Sequence, residues 1–221
     1  MKLTINKMIA LLFCFSVSTA NAIPIITNGS LTGTLSNGGV PTGWSILSPS
    51  PDTMDENSNL GFPGNNTFQT TPSASPDGGT WIGMASLPNI LESFGQLVTG
   101  FSIGLNYDLA WYHANFGHDF GFNQANAIQV LIDGNVVGNG AVLAIGTDWF
   151  NEMLSFTATS TSHQIEFRAL NEDFAYQSID GIRLTQQNIA TVSAPATFAL
   201  FGLGFVLLIF SQRKTKNRCL K

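Results

Sequence analysis

One alternating segment of the sequence sets an aromatic ring beside two polar side chains. Tyr112 falls on the same strand face as Asn106 and Asp108, because successive side chains of a strand point to opposite faces. A sugar docks its apolar C–H face on an aromatic ring, while nearby amides and carboxylates bind its hydroxyls. Trp44 and Trp149 lie near predicted strand ends, where core packing and ligand contact both stay open. The candidate ligand-binding residues are therefore Tyr112, Trp44 and Trp149, with Asn106 and Asp108 as polar partners.

The carboxylate of Asp180, in the closing segment of the domain, is a second candidate for chemistry. Ile182 and Leu184 must face inward to complete a core, and a period of two puts Asp180 on their side. An inward carboxylate is costly unless it is paired, hydrogen-bonded or bound to a metal. Counter-charge is scarce, so the pattern predicts a structural Ca²⁺ held by oxygen ligands. The alternative is that Gly181 forms a bulge, which reverses the phase and lets Asp180 accept bonds from backbone amides.

Signatures of catalysis are sparse in this sequence. It has no Gly-x-Ser-x-Gly elbow, no His-Glu-x-x-His, no phosphate loop and no EF-hand pattern. The odd spacing of His113 and His118 puts the two rings on opposite faces of a continuous strand, which disfavours a metal site that includes Asp119. The two carboxylates of a glycoside hydrolase can come from distant strands. The glutamates available for such a pair are Glu92, Glu152, Glu166 and Glu172. We expect a protein that is not an enzyme.

The distribution of charge argues against nucleic acid as a partner. All fourteen acidic residues lie between residues 23 and 190, where Arg168 and Arg183 are the only basic ones, so this part carries a net charge near −12. Such a surface repels a phosphate backbone. It suits a soluble module outside the cell, and it offers oxygen ligands to hard cations.

Short alternating segments broken by Gly, Pro, Asn and Asp predict an all-β fold, an antiparallel β-sandwich. Asp133-Gly134 between β-branched runs is the strongest hairpin signal. A second strand pair is predicted around Thr161-Ser162, and residues 48–75 have the composition of a long loop. The predicted strands include Ile25–Leu31, Thr80–Ala85, Ser93–Val98, Leu105–Phe116, Met153–Thr159, Gln164–Leu170 and Ser178–Thr185.

The order of these pieces resembles bacterial galactose-binding-like, carbohydrate-binding jelly rolls. The matching pieces are Asn28-Gly29-Ser30, Gly43-Trp44, Gly79-Thr80-Trp81-Ile82-Gly83, Gln96-Leu97-Val98-Thr99-Gly100 and the closing Ile179-Asp180-Gly181-Ile182-Arg183-Leu184. The resemblance implies that the first and last strands lie side by side. Asn28 and Ser30 would then join Asp180 as ligands of the predicted Ca²⁺.

The first 22 residues have the pattern of a secretory signal peptide. Lys2 and Lys7 form a cationic start, residues 8–17 form an apolar core, and Ala20-Asn21-Ala22 is a small-x-small cleavage site. We expect signal peptidase to release a mature chain that begins at Ile23. The two cysteines, Cys14 and Cys219, both lie outside residues 23–190, so we expect the exported domain to fold without a disulfide.

The C-terminal segment combines a short proline-containing motif, an apolar run and a basic end. A helix over about residues 194–210 is long enough for a thin membrane span, and the five basic residues of 211–221 predict a cytoplasmic C-terminus. This arrangement resembles the sorting signal of exosortase substrates, the PEP-CTERM proteins, with Ser193-Ala194-Pro195 in place of their Pro-Glu-Pro. The resemblance implies retention in the inner membrane and processing by an exosortase-type enzyme. The alternative is a plain membrane anchor.

The sequence thus predicts three parts: a signal peptide (1–22), an exported β-sandwich domain (23–190) and a sorting signal (191–221). We expect the domain at the cell surface or in an extracellular matrix, with polysaccharide as its candidate ligand. The alternative is a structural component of a matrix or biofilm that binds no small ligand. A glycoside hydrolase is the third possibility.

Overall fold

A computed structural model describes residues 23–57 and 67–187, which all belong to one unit that ends at Gln187. The predicted signal peptide with its cleavage site at Ala20 and Ala22, the sorting motif Ser193-Ala194-Pro195, the membrane helix and the basic tail lie outside the described residues. Within the described ranges, no helix has the length and apolar character needed to span a membrane.

The described residues form eleven β-strands. Their bounds are β1 Ser45–Ser48, β2 Asp52–Met54, β3 Trp81–Leu87, β4 Ile90–Leu91, β5 Ser93–Thr99, β6 Asn106–Asn115, β7 Ile128–Ile132, β8 Asn135–Asn139, β9 Thr147–Thr157, β10 Ser162–Ala169 and β11 Ala175–Gln186. They pair antiparallel in two sheets. One sheet has the order β1-β5-β10-β7-β8, and the other has the order β2-β3-β11-β6-β9 with β4 beside β3. The predicted all-β antiparallel sandwich is confirmed.

Two hydrophobic clusters hold the sandwich. The larger one fills the space between the sheets, where Trp111 from β6 meets Phe167 from β10 at 5.6 Å between ring centroids. The smaller one includes Trp81, Phe116 and Trp149. It lies on the outer face of the six-stranded sheet, because Trp81 and its neighbour Ile82 point to opposite sides of β3 and Ile82 belongs to the inner cluster. One half of this outer face is therefore covered.

The predicted hairpin at Asp133-Gly134 is confirmed, since β7 and β8 pair directly. Asp133 (φ 51°) and Gly134 (φ 76°) both adopt the left-handed conformation that a two-residue hairpin loop needs.

A second expectation, a strand pair around Thr161-Ser162, is wrong. β9 belongs to the six-stranded sheet and pairs with β6, whereas β10 pairs with β5 and β7 in the other sheet. The chain crosses between the sheets at this point.

The predicted first strand at Ile25–Leu31 is also wrong. Residues 27–30 form a turn instead, and both Asn28 (φ 50°) and Leu31 (φ 49°) have a left-handed backbone that a strand does not accept. The turn lies beside β11, where the Ile182 amide donates to the Gly29 carbonyl at 2.8 Å. The N-terminal segment therefore meets the last strand as the resemblance implied, although through one turn rather than a strand ladder.

In the closing strand, β11, the side chains do not alternate regularly between the two faces of the sheet. The pairing of β11 with β6 shifts between Asp180 and Arg183, and Gly181 has a φ of 58°. Asp180 lies opposite Tyr112, whereas Leu184 lies opposite Leu109. Asp180 thus points to the outer face of the sheet, away from Ile182 and Leu184. The expectation that these three residues share a face is wrong, and the bulge at Gly181 is the reason.

Candidate functional site

The uncovered half of the six-stranded sheet's outer face is mainly polar, and we call it the polar face. On β6, Leu109 and Trp111 point into the core, so Asn106, Asp108 and Tyr112 point outward, as the alternation predicts. The register of β9 and β11 places further side chains beside this row. The members of the polar face are Asn106, Asp108 and Tyr112 on β6, Asn151, Met153, Ser155 and Thr157 on β9, and Arg183, Thr185 and Gln187 on or after β11.

Asp108 is the most tightly positioned group of the polar face. Its Oδ1 accepts hydrogen bonds from the Ser155 hydroxyl at 2.5 Å and from the Gln187 amide at 2.7 Å. These two bonds hold the pKa of the carboxyl below its usual value, so Asp108 is ionised at neutral pH. One row away, the Thr157 hydroxyl donates to Asn106 Oδ1 at 2.6 Å. The Ser155–Asp108 and Thr157–Asn106 bonds join β9 to β6. They hold these side chains in place without a ligand.

Tyr112 occupies the other end of the polar face. The Arg183 guanidinium lies over its ring, 4.8 Å from the centroid, and also donates to Asn151 Oδ1 at 3.2 Å. A Cβ at Gly181 would come within 2.7 Å of Tyr112 Cδ2, so the ring rests against the bulge. A sugar that stacked on this ring must displace Arg183 or share the ring with it. Tyr112 and Arg183 therefore act as one unit, which presents a ring edge and guanidinium donors.

The two candidate tryptophans are placed differently from the polar face. Trp44 is buried, packs edge-on against Phe94 at 5.1 Å, and donates from Nε1 to the Asn28 carbonyl at 2.9 Å. Of the two roles that the sequence leaves open for Trp44, the structure shows core packing, and Trp44 is not an exposed stacking ring. Trp149 is half-buried, because it packs against Trp81 at 5.4 Å and belongs to the outer cluster. The structure brings neither of them to the row of Asn106, Asp108 and Tyr112.

Asp180 lies under the cover of the outer face and is fully buried. The Ser75 hydroxyl donates to its Oδ2, whereas Oδ1 has no hydrogen-bond partner within the described ranges. Burial raises the pKa of this carboxyl to about 6, and the charge of Asp77 adds to the rise. Hydrogen bonds from the Ser75 hydroxyl and from the Gly181 and Asp77 backbone amides oppose it. Asp77 in turn lies 3.5 Å from the Arg183 guanidinium. For Asp180, the cost of burying the charge thus outweighs the hydrogen bonds that support it.

The predicted Ca²⁺ ligands do not form one set. The Asn28 amide donates to the Thr32 and Thr42 carbonyls, both at 3.0 Å, and its oxygen accepts from the Thr32 amide. The Ser30 hydroxyl lies 3.3 Å from that of Thr32. The Asn28 and Ser30 side chains stabilise the turn that contains them, whereas Asp180 accepts a hydrogen bond from Ser75. In the ranges that the structure describes, no three His, Cys, Asp or Glu side chains are grouped so as to hold a metal.

The four glutamates that are candidates for hydrolysis lie on different elements of the fold. Glu92 is buried and accepts from the Ser50 and Ala85 amides at 2.9 and 2.7 Å, and burial raises its pKa. Glu152 accepts from the Ala141 amide at 2.7 Å and lies 3.7 Å from His113. Glu166 lies on β10 of the other sheet, and Glu172 lies in the exposed loop before β11.

Sequence reasoning missed most of the polar face outside β6. Ser155 and Thr157 alternate outward along β9 with Asn151, a period-two signal that could have been read from the sequence. The outward direction of Arg183 follows from its alternation with the inward Ile182 and Leu184. Its contact with Tyr112 could not be read from the sequence, because it depends on β11 lying beside β6.

No family model and no curated protein matches the chain. Among solved structures it is similar to the CBM22-1 xylan-binding domain from Paenibacillus barcinonensis Xyn10C (10% identity, TM-score 0.46, 78% of this chain and 100% of that one). It is also similar to a family 35 carbohydrate binding module from Clostridium thermocellum (12%, 0.40, 75% and 100%). A third similar structure is the enzymatically active domain of the bacteriophage CBA120 tailspike protein 4 (12%, 0.42, 66%), of which the chain spans 20%. At these identities the likeness concerns the β-sandwich fold alone.

Proposed function

We propose that this chain is an exported binding module that holds a polysaccharide on the polar face. The observation that carries the proposal is the row Asn106, Asp108 and Tyr112, which cross-strand hydrogen bonds and Arg183 hold in place on one sheet face. Carbohydrate hydroxyls need many directional donors and acceptors, and this surface offers hydroxyls, amides, a carboxylate and a guanidinium.

The dimensions of the polar face suit an extended ligand. From Asn106 to Tyr112 the β6 strand rises about 3.4 Å per residue, so the row is roughly 20 Å long. That length accommodates several sugar units. Because the side chains are already fixed by bonds such as Ser155 to Asp108, binding costs less side-chain entropy than on a mobile surface.

Charge favours a neutral polysaccharide over a polyanion. Residues 23–190 carry fourteen acidic groups and two arginines, and Arg183 already lies near Asp77. A long anionic chain would be repelled by the surrounding surface. A neutral chain of hydroxyls meets the polar face without that cost.

Glycan-array binding by residues 23–187 tests the proposal. We expect binding to a neutral polysaccharide, and we expect Tyr112→Ala to weaken it at least about tenfold, which equals about 1.4 kcal/mol. Gln164→Ala on β10, a strand of the other sheet, is the matched control and should bind normally. An unchanged affinity in Tyr112→Ala would place the binding site elsewhere.

A domain that binds no glycan at all would favour the structural alternative, a matrix or biofilm component without a small ligand. Release of sugar from a bound glycan would favour a glycoside hydrolase.

The repeated crossing of the chain between the two sheets supports a jelly-roll description of the domain.

The proposal includes export and sorting. The signal peptide pattern and the Ser193-Ala194-Pro195 segment support passage through the inner membrane and exosortase-type processing, with display in the cell envelope, at the cell surface or in an extracellular matrix. Mass spectrometry of the mature protein tests this part. A mature C-terminus near residue 194 supports sorting, and an intact chain through Lys221 supports a plain membrane anchor.

A further inference from the structure

The outer edge of the six-stranded sheet is unusually long. β9 is the last strand of its sheet and spans eleven residues, and among the described residues it pairs only with β6. The other terminal strands are short: β1 has four residues, β2 three and β8 five. β9 therefore presents more edge than any other terminal strand in the described ranges.

The register shows which backbone groups of β9 face this edge. The Ala158 amide donates to the Leu105 carbonyl on the β6 side, and Phe156 lies opposite Tyr107. Because the bonding direction alternates along a strand, residues 150, 152, 154 and 156 bond to β6. The amides and carbonyls of Asn151, Met153, Ser155 and Thr157 point away from the sheet. They form a ready template for one more strand.

From Phe150 to Thr157, β9 lacks the features that usually protect an edge; the irregularity in its register with β6 lies between Thr147 and Phe150. Natural edge strands carry lysine, proline or bulges that prevent pairing with another chain. From Phe150 to Thr157 there is no lysine and no proline, and Glu152, the charged residue of this stretch, is buried and bonded to the Ala141 amide. Met153 is 60% exposed and Phe150 is 50% exposed along the same edge.

We propose that β9 pairs antiparallel with β9 of a second copy of this chain. The charged residue between Phe150 and Thr157, Glu152, is buried, so two domains with a net charge near −12 can meet at this edge without setting exposed like charges opposite each other. A two-fold axis at Leu154 sets the amide and carbonyl of Met153 against those of Ser155 in the other copy, and those of Asn151 against Thr157. All four edge residues then form hydrogen-bonded pairs, and no like charges lie opposite each other.

Pairing of this kind joins the two six-stranded sheets into one continuous sheet. The outward side chains of β9 belong to the polar face, so the two polar faces become neighbours on one surface. Pairing of two β9 edges does not require a glycan ligand, and no glycan is present in the experiments below. The chain can therefore bind a glycan without dimerising, or dimerise without binding a glycan.

Sedimentation velocity on the full chain and on residues 23–187 tests the pairing. We expect the mass of a dimer at about 100 μM. We expect Met153→Lys to reduce it to a monomer, because the two introduced lysines would lie diagonally across the two-fold axis and repel each other. Thr185→Lys, on the same face but on the central strand β11, is the control and should stay dimeric. A monomeric wild-type chain, or a Met153→Lys variant that remains dimeric, would overturn the proposal.

Disulfide trapping tests the register independently. Residues 23–187 contain no cysteine, so Met153→Cys and Ser155→Cys proteins can be made separately and mixed under oxidising conditions. Directly opposed hydrogen-bonded residues have Cα atoms about 5.5 Å apart, which lies within the range of a disulfide. We expect a covalent dimer from this mixture, and none when Thr185→Cys replaces the Ser155→Cys protein. Failure to trap a dimer would reject the register even if the chain dimerises.

Discussion

At the scale of single residues, Asp180 makes stability depend on pH. Its folded pKa of about 6 exceeds the ordinary value of 3.8. The folded state therefore binds the proton more tightly, and the stability this provides is complete below pH 4 and lost as the pH rises through 6. Asp180→Asn keeps an acceptor for Ser75 and mimics the protonated form. We expect the variant to gain up to about 3 kcal/mol at pH 8 and nothing at pH 4, measured by urea unfolding with a chelator present.

Two controls accompany this measurement. Glu172→Gln, in an exposed loop, should change stability little at either pH. Adding Ca²⁺ in place of chelator tests the predicted cation at the same carboxylate. A rise in melting temperature with Ca²⁺ that Asp180→Asn removes would support the ion. An equal gain of the variant at pH 4 and pH 8 would show that the carboxylate is not the cause.

Gly181 is the second residue with a sharp expectation. Its φ of 58° strains any residue with a Cβ, and that Cβ would lie 2.7 Å from the Tyr112 ring. We expect Gly181→Ala to destabilise the domain by about 2–3 kcal/mol, from backbone strain and from displacement of the ring. Gly104→Ala is the matched control, since Gly104 has a φ of 83° but open space around it. Equal losses in the two variants, measured by thermal unfolding, would mean that the Tyr112 contact does not matter.

The same bulge limits what the sequence can tell about the candidate site. The outward direction of Tyr112, Asn106 and Asp108 follows from alternation within one strand, and the structure agrees. The direction of Asp180 required a choice between a regular strand and a bulge at Gly181. Only the pairing with β6 decides between them, because a single glycine is compatible with both.

At the scale of elements, one side chain pair ties the β7–β8 hairpin to the turn before β10. His163 Nδ1 lies 2.6 Å from Asp133 Oδ2, and its Nε2 accepts from the Thr159 and Ser160 amides at 3.2 Å. Asp133 Oδ1 also accepts from the Gln164 amide at 2.8 Å. Partial burial pushes the pKa of Asp133 upward, but the bonds from His163 and Gln164 outweigh it and lower the pKa. The carboxylate thus stabilises the fold above its ordinary pKa, and this contribution is lost as the pH falls through the lowered value.

Asp133→Asn tests this tie without changing the turn, because asparagine accepts a left-handed backbone. We expect a loss of about 1 kcal/mol at pH 7, modest because the Asp133 side chain is half exposed, and a smaller loss below pH 4. Asp119→Asn, in the β6–β7 loop, is the control in the same urea experiment and should show no such change. A loss that does not shrink in acid would mean that the charge on Asp133 contributes nothing.

Strand pairs could be predicted from the sequence where the residues of the turn between them determine the pairing. The β7–β8 hairpin follows from Asp133-Gly134, which has the backbone that its turn needs. The false hairpin between β9 and β10 has an equally plausible turn at Thr161-Ser162. Its strands separate because β10 completes the core of the other sheet, with Ile165 and Phe167 facing inward. The burial of Trp44 could not be predicted from a local pattern either, because its packing against Phe94 is a tertiary contact.

At the scale of the whole molecule, net charge controls the proposed dimer. Two domains of about −12 repel each other, and their contact strip carries no opposite charges to compensate. Salt screens this repulsion, so we expect association to strengthen between about 50 and 500 mM NaCl. Sedimentation equilibrium across this range measures the effect. An interface built on salt bridges would weaken with salt, and that outcome would contradict an uncharged β9 edge.

The order of the strands along the chain has a consequence for synthesis and transport. β10 and β11 come last in sequence, yet β10 lies between β5 and β7 and β11 lies between β3 and β6. Neither sheet can close until the final twenty-odd residues of the domain have left the ribosome, and such distant contacts form slowly. Under the proposed export, the growing chain would therefore reach a membrane translocation channel still unfolded. A domain that assembles from its centre only at the end is well suited to be threaded through a membrane first and folded afterwards.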